Sequence, residues 1–333
     1  PRMRIIPAFV LLFLAGCSQQ TGKPVNDQLF LELGKEKQYV EITGSSDKDP
    51  VILFLHGGPG WPQTPHLRYF NADITKSAIL VAWEQSGCGK SYMQNPTPAN
   101  MSVEQFVNDA HELTQYLKKR FQKDKIYVAG FSWGSIIGLK LVEKYPEDYA
   151  AYFAISQVVD VSRSIELSRE WIKAQALSRN DTAMLARVKR LENRDTSFCQ
   201  SELDCFMKKY EMLTAYNGAI HTQEASAKID SAQVHYGDYK EYDWFKAFMY
   251  SANRLTGELF STNLSGVTEL KVPAYFFMGR HDWSLPTRVT EEFVAKLKAP
   301  RKEIVWFENS GHEPLEEEAP AFNKAITDRV TRN

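Results

Sequence analysis

Ser132 lies between two glycines in GFSWG, residues 130–134. A serine hydroxyl is a weak nucleophile until a base removes its proton. An imidazole held by a carboxylate does this at neutral pH. Both partners occur later in the chain: GRHD ends in Asp282 and NSGH ends in His312. Upstream, HGGPG at 56–60 is a loop whose glycines let backbone N–H groups approach a developing oxyanion closely. Taken singly, each piece has an ordinary reading. Ser132 fits a tight turn, Asp282 a helix cap, His312 a surface histidine and HGGPG a bend. The elements that position them decide between the readings.

Short apolar runs end in turn residues at 51–55, 78–83, 126–130, 152–156, 274–279 and 303–307. They are near-continuous and rich in Val, Ile, Phe and Tyr, the pattern of strands covered on both faces in a parallel sheet. Helical patterns lie between them. Val103, Phe106, Val107, Ala110, Leu113 and Leu117 recur at helical spacing. They follow a capping box of Ser102 and Gln105, with Met101 placed to staple onto Phe106. Further helices are expected from about Trp133 to Tyr145, ahead of Pro146, and from about Arg288 to Leu297. The alternating segment 38–44 predicts an edge strand. This order predicts an α/β fold with a mostly parallel open sheet.

On that frame Ser132 sits directly after a strand and before a helix, the context of a nucleophile elbow. Asp282 and His312 each follow a later strand. The order Ser, Asp, His is that of the α/β-hydrolases. Trp133, the next residue, is expected to give one oxyanion N–H, and Gly58, in preference to Gly57, the other. Asp160, after the strand at 152–156, is the competing candidate for the acid. From 157 to 263 the alternation stops. That segment is charged, helix-patterned and aromatic-rich, and reads as a helical lid inserted over the carboxyl ends of the strands, where such sheets bind ligands. The core is then 29–156 with 264–333.

Three motifs together resemble the prolyl aminopeptidase (proline iminopeptidase) type of α/β-hydrolase. HGGPG is that family's hallmark, GFSWGS is similar to its GGSWGS, and EQSGCGKS (84–91) is similar to its DQRGCGRS, matching at Gln85, Gly87, Cys88, Gly89 and Ser91. The resemblance covers about 38–156 and 264–330 but not the lid. It implies catalytic roles for Ser132, Asp282 and His312, with proline or another small residue released from the free N-terminus of a peptide. Glu84 and Ser86 depart from the family's Asp and Arg. The lost arginine keeps a carboxylesterase acting on neutral esters as the alternative. A non-catalytic binding protein is the third reading, opposed by the intact triad. Neither chemistry calls for a cofactor or a metal. A protonated amine calls for carboxylates and a prolyl ring for aromatic faces. The lid supplies both, and the expected substrate contacts are Glu166, Glu170, Glu211 and Trp244.

The N-terminus carries a different signal. Arg2 and Arg4 precede an apolar run at 5–16, too short to span a bilayer comfortably. LAGCS follows, and it resembles the lipobox of bacterial lipoproteins. This implies a signal peptide over 1–16, lipid on Cys17, and a polar tether over 17–28. It implies export and attachment to a cell-envelope membrane, the outer one in a cell with two. An ordinary cleaved signal, with Cys17 incidental, is the alternative. Export makes a disulfide between Cys199 and Cys205 an expectation, against two free thiols. Cys88 is left over, and no Cys/His spacing matches a zinc site. A net charge of −1 leaves no basic footprint for nucleic acid.

Overall fold

The structure, a computed structural model, describes residues 22–331. The expected signal peptide, Cys17 and the first part of the tether lie outside the described residues. Eight strands form one sheet: β1 (Val25–Leu33), β2 (Glu36–Gly44), β3 (Val51–Leu55), β4 (Ile79–Glu84), β5 (Ile126–Phe131), β6 (Tyr149–Ile155), β7 (Ala274–Gly279) and β8 (Lys302–Phe307). Their spatial order is β1-β2-β4-β3-β5-β6-β7-β8. β2 runs antiparallel to both its neighbours, and every pairing from β4 to β8 is parallel.

Two expectations change at the antiparallel end. Residues 25–28, read as tether, begin β1, and β2, read as an edge strand, is an inner one. β1 itself forms the edge. Roughly every second residue of it is covered, and Asn26 and Gln28 are exposed, so its start resembles a polar linker. Gly34 and Lys35 join the pair with φ of 57° and 68°. A two-residue hairpin turn needs these positive values to match strand twist.

The parallel strands are buried on both faces. Val51, Leu53 and Leu55 of β3 enter one apolar cluster and Ile52 and Phe54 enter another, as the two-residue period requires. Helices α1 (Thr64–Phe70), α2 (Gly89–Gln94), α3 (Val103–Phe121) and α4 (Trp133–Lys144) connect the first six strands. α3 opens as expected, the Ser102 hydroxyl accepting from the Gln105 N–H.

Between β6 and β7 the chain forms α5 (Val161–Ser178), α6 (Thr182–Glu192), α7 (Glu202–Thr214), α8 (Gln223–His235) and α9 (Trp244–Phe260). Each begins on a side chain that accepts a backbone N–H three residues on: Asp160, Asp181, Ser201, Thr222 and Asp243. Such a cap stabilises a helix by about 1 kcal/mol. α5, α6 and α7 share a small core of Ile172, Ala176, Met184, Val188, Met212 and Leu213. A disulfide joins Cys199 to Cys205 at the start of α7. Then α10 (Thr287–Lys296) leads to β8, and α11 (Pro314–Glu317) and α12 (Ala319–Thr331) complete the described chain. No helix among the described residues is long and apolar enough to cross a membrane.

Candidate active site

β5 runs straight into the turn at Ser132 and α4 leaves it at once. The turn tolerates no side chain at either flanking glycine. A Cβ on Gly130 would lie 2.6 Å from the Gly134 carbonyl oxygen, and one on Gly134 would lie 2.1 Å from that of Leu55. Ser132 itself has φ 49° and ψ −115°, a conformation L-residues rarely take. Its N–H donates to Ile155 on β6 at 3.0 Å, and its carbonyl accepts from the Ser135 N–H at 2.9 Å and the Ser135 hydroxyl at 2.6 Å. The surroundings thus hold the strained residue with Oγ above the sheet.

His312 Nε2 is 3.0 Å from Ser132 Oγ, and His312 Nδ1 is 2.8 Å from Asp282 Oδ2. The second oxygen of Asp282 accepts from the Leu285 N–H at 2.9 Å. The three side chains therefore form one hydrogen-bonded line. Burial works against the His312 cation, but Asp282 and then Glu313 and Glu317 outweigh it, and the imidazole is held above its ordinary range. Asp160 is elsewhere: it caps α5 and accepts from the Asn263 side chain at 3.0 Å.

The loop after β3 lies against the serine. A Cβ on Gly57 would touch the Phe131 ring at 2.9 Å and approach Ser132 Cβ to 3.6 Å. Gly58 and Gly60 have φ of 111° and 79°. His56 fastens this loop. Its Nε2 accepts from the Gln85 N–H at 3.2 Å, which leaves Nδ1–H to donate to the Gly57 carbonyl at 2.7 Å. Burial pushes the His56 imidazole down to about 4, so it stays neutral in this role. Trp133 is buried, and its indole donates to the Gln85 side chain at 3.1 Å. Its backbone N–H is at the first position of α4, where no intrahelical acceptor exists.

The departures at 84 and 86 have local explanations. Glu84 is buried and accepts from the Tyr239 hydroxyl and from the Lys90 N–H at 2.6 Å, tying the β4 loop to the inserted segment. Ser86 turns toward β2, donating to Glu36 at 2.9 Å. Cys88 is buried, and burial pushes its thiol well up, so it carries no thiolate.

Of the expected substrate contacts, only Trp244 adjoins the loop, its ring 5.1 Å from that of Trp61. Glu166 and Glu170 are exposed. The buried stripe of α5 runs through Ser164, Ser168 and Ile172, which puts both glutamates on the opposite face. Glu211 is exposed too and pairs with Arg187 at 3.0 Å. The structure does not bring these three to the triad.

The carboxyls it does bring there follow His312 directly. Glu316 is fully covered, accepting from His66 Nδ1 at 2.8 Å and from the Gln63 amide, and its other oxygen has no partner. Glu313 lies beside it. Burial first, then each carboxyl's acidic neighbours, push both up, Glu316 to about 8, so the pair retains a proton at neutral pH. Glu317 accepts from the Gly311, Glu313 and His221 N–H groups and so braces the His312 loop. The signal was in the sequence: in HEPLEEE these carboxyls adjoin the candidate base. Among the described residues no three Cys, His, Asp or Glu side chains converge on a metal position.

The family model described as serine aminopeptidase, S33, matches residues 72–319, which include all three members of the line. The chain belongs to the serine aminopeptidase family S33. It is therefore a hydrolase, and the α/β-hydrolase fold is the one described above. One relative of this S33 chain is a probable aminopeptidase of Bacillus subtilis, 29% identical over 301 residues, covering 89% of this chain and 94% of that one. The proline iminopeptidase of Neisseria gonorrhoeae is 36% identical over 110 residues, 33% of each chain. Among solved structures, the proline iminopeptidase of Mycobacterium smegmatis superposes with a TM-score of 0.68 at 16% identity, covering 92% of this chain and 98% of that one. An esterase from Exiguobacterium antarcticum reaches 0.61 at 15% identity, covering 92% and 100%. At these identities the structural likeness speaks for the α/β-hydrolase fold alone.

Proposed function

We propose that this protein is an aminopeptidase that releases N-terminal proline or another small residue from peptides through a covalent acyl-enzyme. Ser132 Oγ attacks the scissile carbonyl carbon while His312 Nε2 takes its proton, and Asp282 holds the imidazole and stabilises its cation. The Gly58 and Trp133 N–H groups receive the oxyanion at the N-terminus of α4. His312 returns the proton to the leaving amine, and water repeats the sequence on the acyl group. The unbroken line Ser132–His312–Asp282 carries the hydrolytic part of this reading.

The aminopeptidase part is supported by the Glu313–Glu316 pair beside the base. A substrate's protonated amine placed there displaces the retained proton and pairs with the carboxylate. Phe131, whose ring is 5.4 Å from His312, and the Trp61, Trp244 and Phe248 rings offer apolar faces for a prolyl ring. In this reading α5–α9 act as the lid, and lipid on Cys17 anchors the exported protein to an envelope membrane. The test compares kcat/KM for a proline arylamide, its N-acetyl form and a short-chain nitrophenyl ester. Acetylation removes the charge and strands the carboxylate, a loss on the order of 2 to 5 kcal/mol. Equal turnover of the three would replace this reading with a general esterase.

A further inference from the structure

Lys209 is 2% exposed, on the buried face of α7 with Met212 and Leu213. Its ammonium has no hydrogen-bond partner and lies over the Phe206 ring, 4.8 Å from the centroid. Long cationic side chains ordinarily reach water or a carboxylate. Lys209 does neither. Burial pushes it down to about 8, opposed by the Asp282 charge. The Asp282 oxygens accept from His312 and from the Leu285 N–H, and Lys209 Nζ makes no hydrogen bond to them, so that carboxylate reaches it only through its field.

The position of α7 is fixed with respect to the catalytic loops. In the turn that follows it, Gly218 accepts from the Trp283 N–H at 2.9 Å and Ala219 accepts from the His312 N–H at 2.6 Å. The next side chain on the helix, Tyr210, lies in the field of Glu313, Asp282 and Glu317. An ammonium with three unused donors is thus held under the inserted helices at the acid side of the triad. An unpaired buried charge costs several kcal/mol, which a ligand of opposite sign removes.

We propose that Lys209 is an anion-binding specificity residue that receives a carboxylate of the peptide substrate. This rests on the peptide-hydrolysing reading and narrows it. The Glu313–Glu316 pair takes the amine and Lys209 takes an acid, so the preferred substrate is a short zwitterionic peptide. The carboxylate comes from the peptide's own C-terminus or from an acidic side chain after the scissile bond.

The experiment measures kcat/KM of the full protein and of Lys209→Met on Pro-Ala, Pro-Ala amide and Pro-Asp amide, with proline arylamide as reference. The parent is expected to prefer an acid-bearing peptide over Pro-Ala amide by roughly 10- to 100-fold, as for a desolvated charge pair. Pro-Ala leads if the C-terminus is read, and Pro-Asp amide leads if the side chain is. Lys209→Met is expected to bring that ratio close to one, and Lys209→Arg to retain part of it. The melting temperature of Lys209→Met should hold or rise, since an unpaired charge is removed. Arylamide cleavage with no preference for acid-bearing peptides overturns this inference alone, as does a preference that survives Lys209→Met or a lower melting temperature in that variant. Failure to cleave the arylamide while an ester is cleaved overturns the aminopeptidase reading and this inference with it.

Discussion

The backbone N–H of His312 donates to the carbonyl of Ala219 at 2.6 Å. Ala219 belongs to the turn between α7 and α8, so the helices between β6 and β7 hold the proposed base from one side while Glu317 and the Ser156 hydroxyl hold its loop from the other. Gly311 permits this contact, because a Cβ there would lie 2.1 Å from the Ala219 carbonyl oxygen. Gly311→Ala must push the two segments apart. A displacement of about 1 Å at a catalytic group costs on the order of 10²-fold in rate. Parallel measurement of turnover and melting temperature checks this, and parent-like turnover would show that the contact does not position the base.

Ser132→Ala should leave a folded protein with hydrolysis lowered by several orders of magnitude. A fluorophosphonate probe should label the parent at this serine. Labelling that persists in the alanine variant means that another nucleophile does the work.

Asp282→Asn should cost on the order of 10⁴ in turnover, as amide replacements of triad acids do. Asp160→Ala should instead cost about 1 kcal/mol of stability, the loss of an α5 cap, with turnover largely kept. The pair of variants separates the two carboxylates, and a reversed ranking assigns the acid to Asp160.

Two pH dependences follow from the buried groups. His312 acts as a base only when neutral, and its neighbours hold it above 6.5. The acid limb of kcat/KM should therefore have its midpoint above 6.5, and activity is lost as pH falls through it. Stability moves the other way at Glu316. Its folded value, about 8, is above its unfolded value near 4.5, so the native state binds the extra proton. Its contribution is present below pH 4.5 and is lost as pH rises toward 8. Melting temperatures across that range should decline in the parent and decline less in Glu316→Gln; equal slopes would be evidence against the raised carboxyl.

The strand ends and the three residues placed on them were legible because continuous apolar runs, glycines and residue order are local signals. The carboxylates expected to meet substrate were not. Glu166, Glu170 and Glu211 carry the right charge, but the buried stripe of α5 through Val161, Ser164, Ser168, Ile172 and Ala176 turns the first two outward, and its two serines mask that phase in the sequence. β1 was hidden because an edge strand with one covered face reads as a polar linker. Lys209 was invisible for another reason: the second lysine of a Lys208–Lys209 pair in a charged helix has no sequence mark of burial, which only the packing of α7 creates.

The order of the sheet also bears on when the protein becomes active. β1 to β6 are encoded together, but β7 pairs with β6 only across the whole run of α5 to α9. Ser132 is thus synthesised well before Asp282 and His312. A growing chain can complete most of the sheet and still present a serine with no base. Non-local pairings of this kind form late and slowly. On the proposed mechanism, latency is therefore built into the chain order, and hydrolytic competence is among the last properties a newly made molecule acquires.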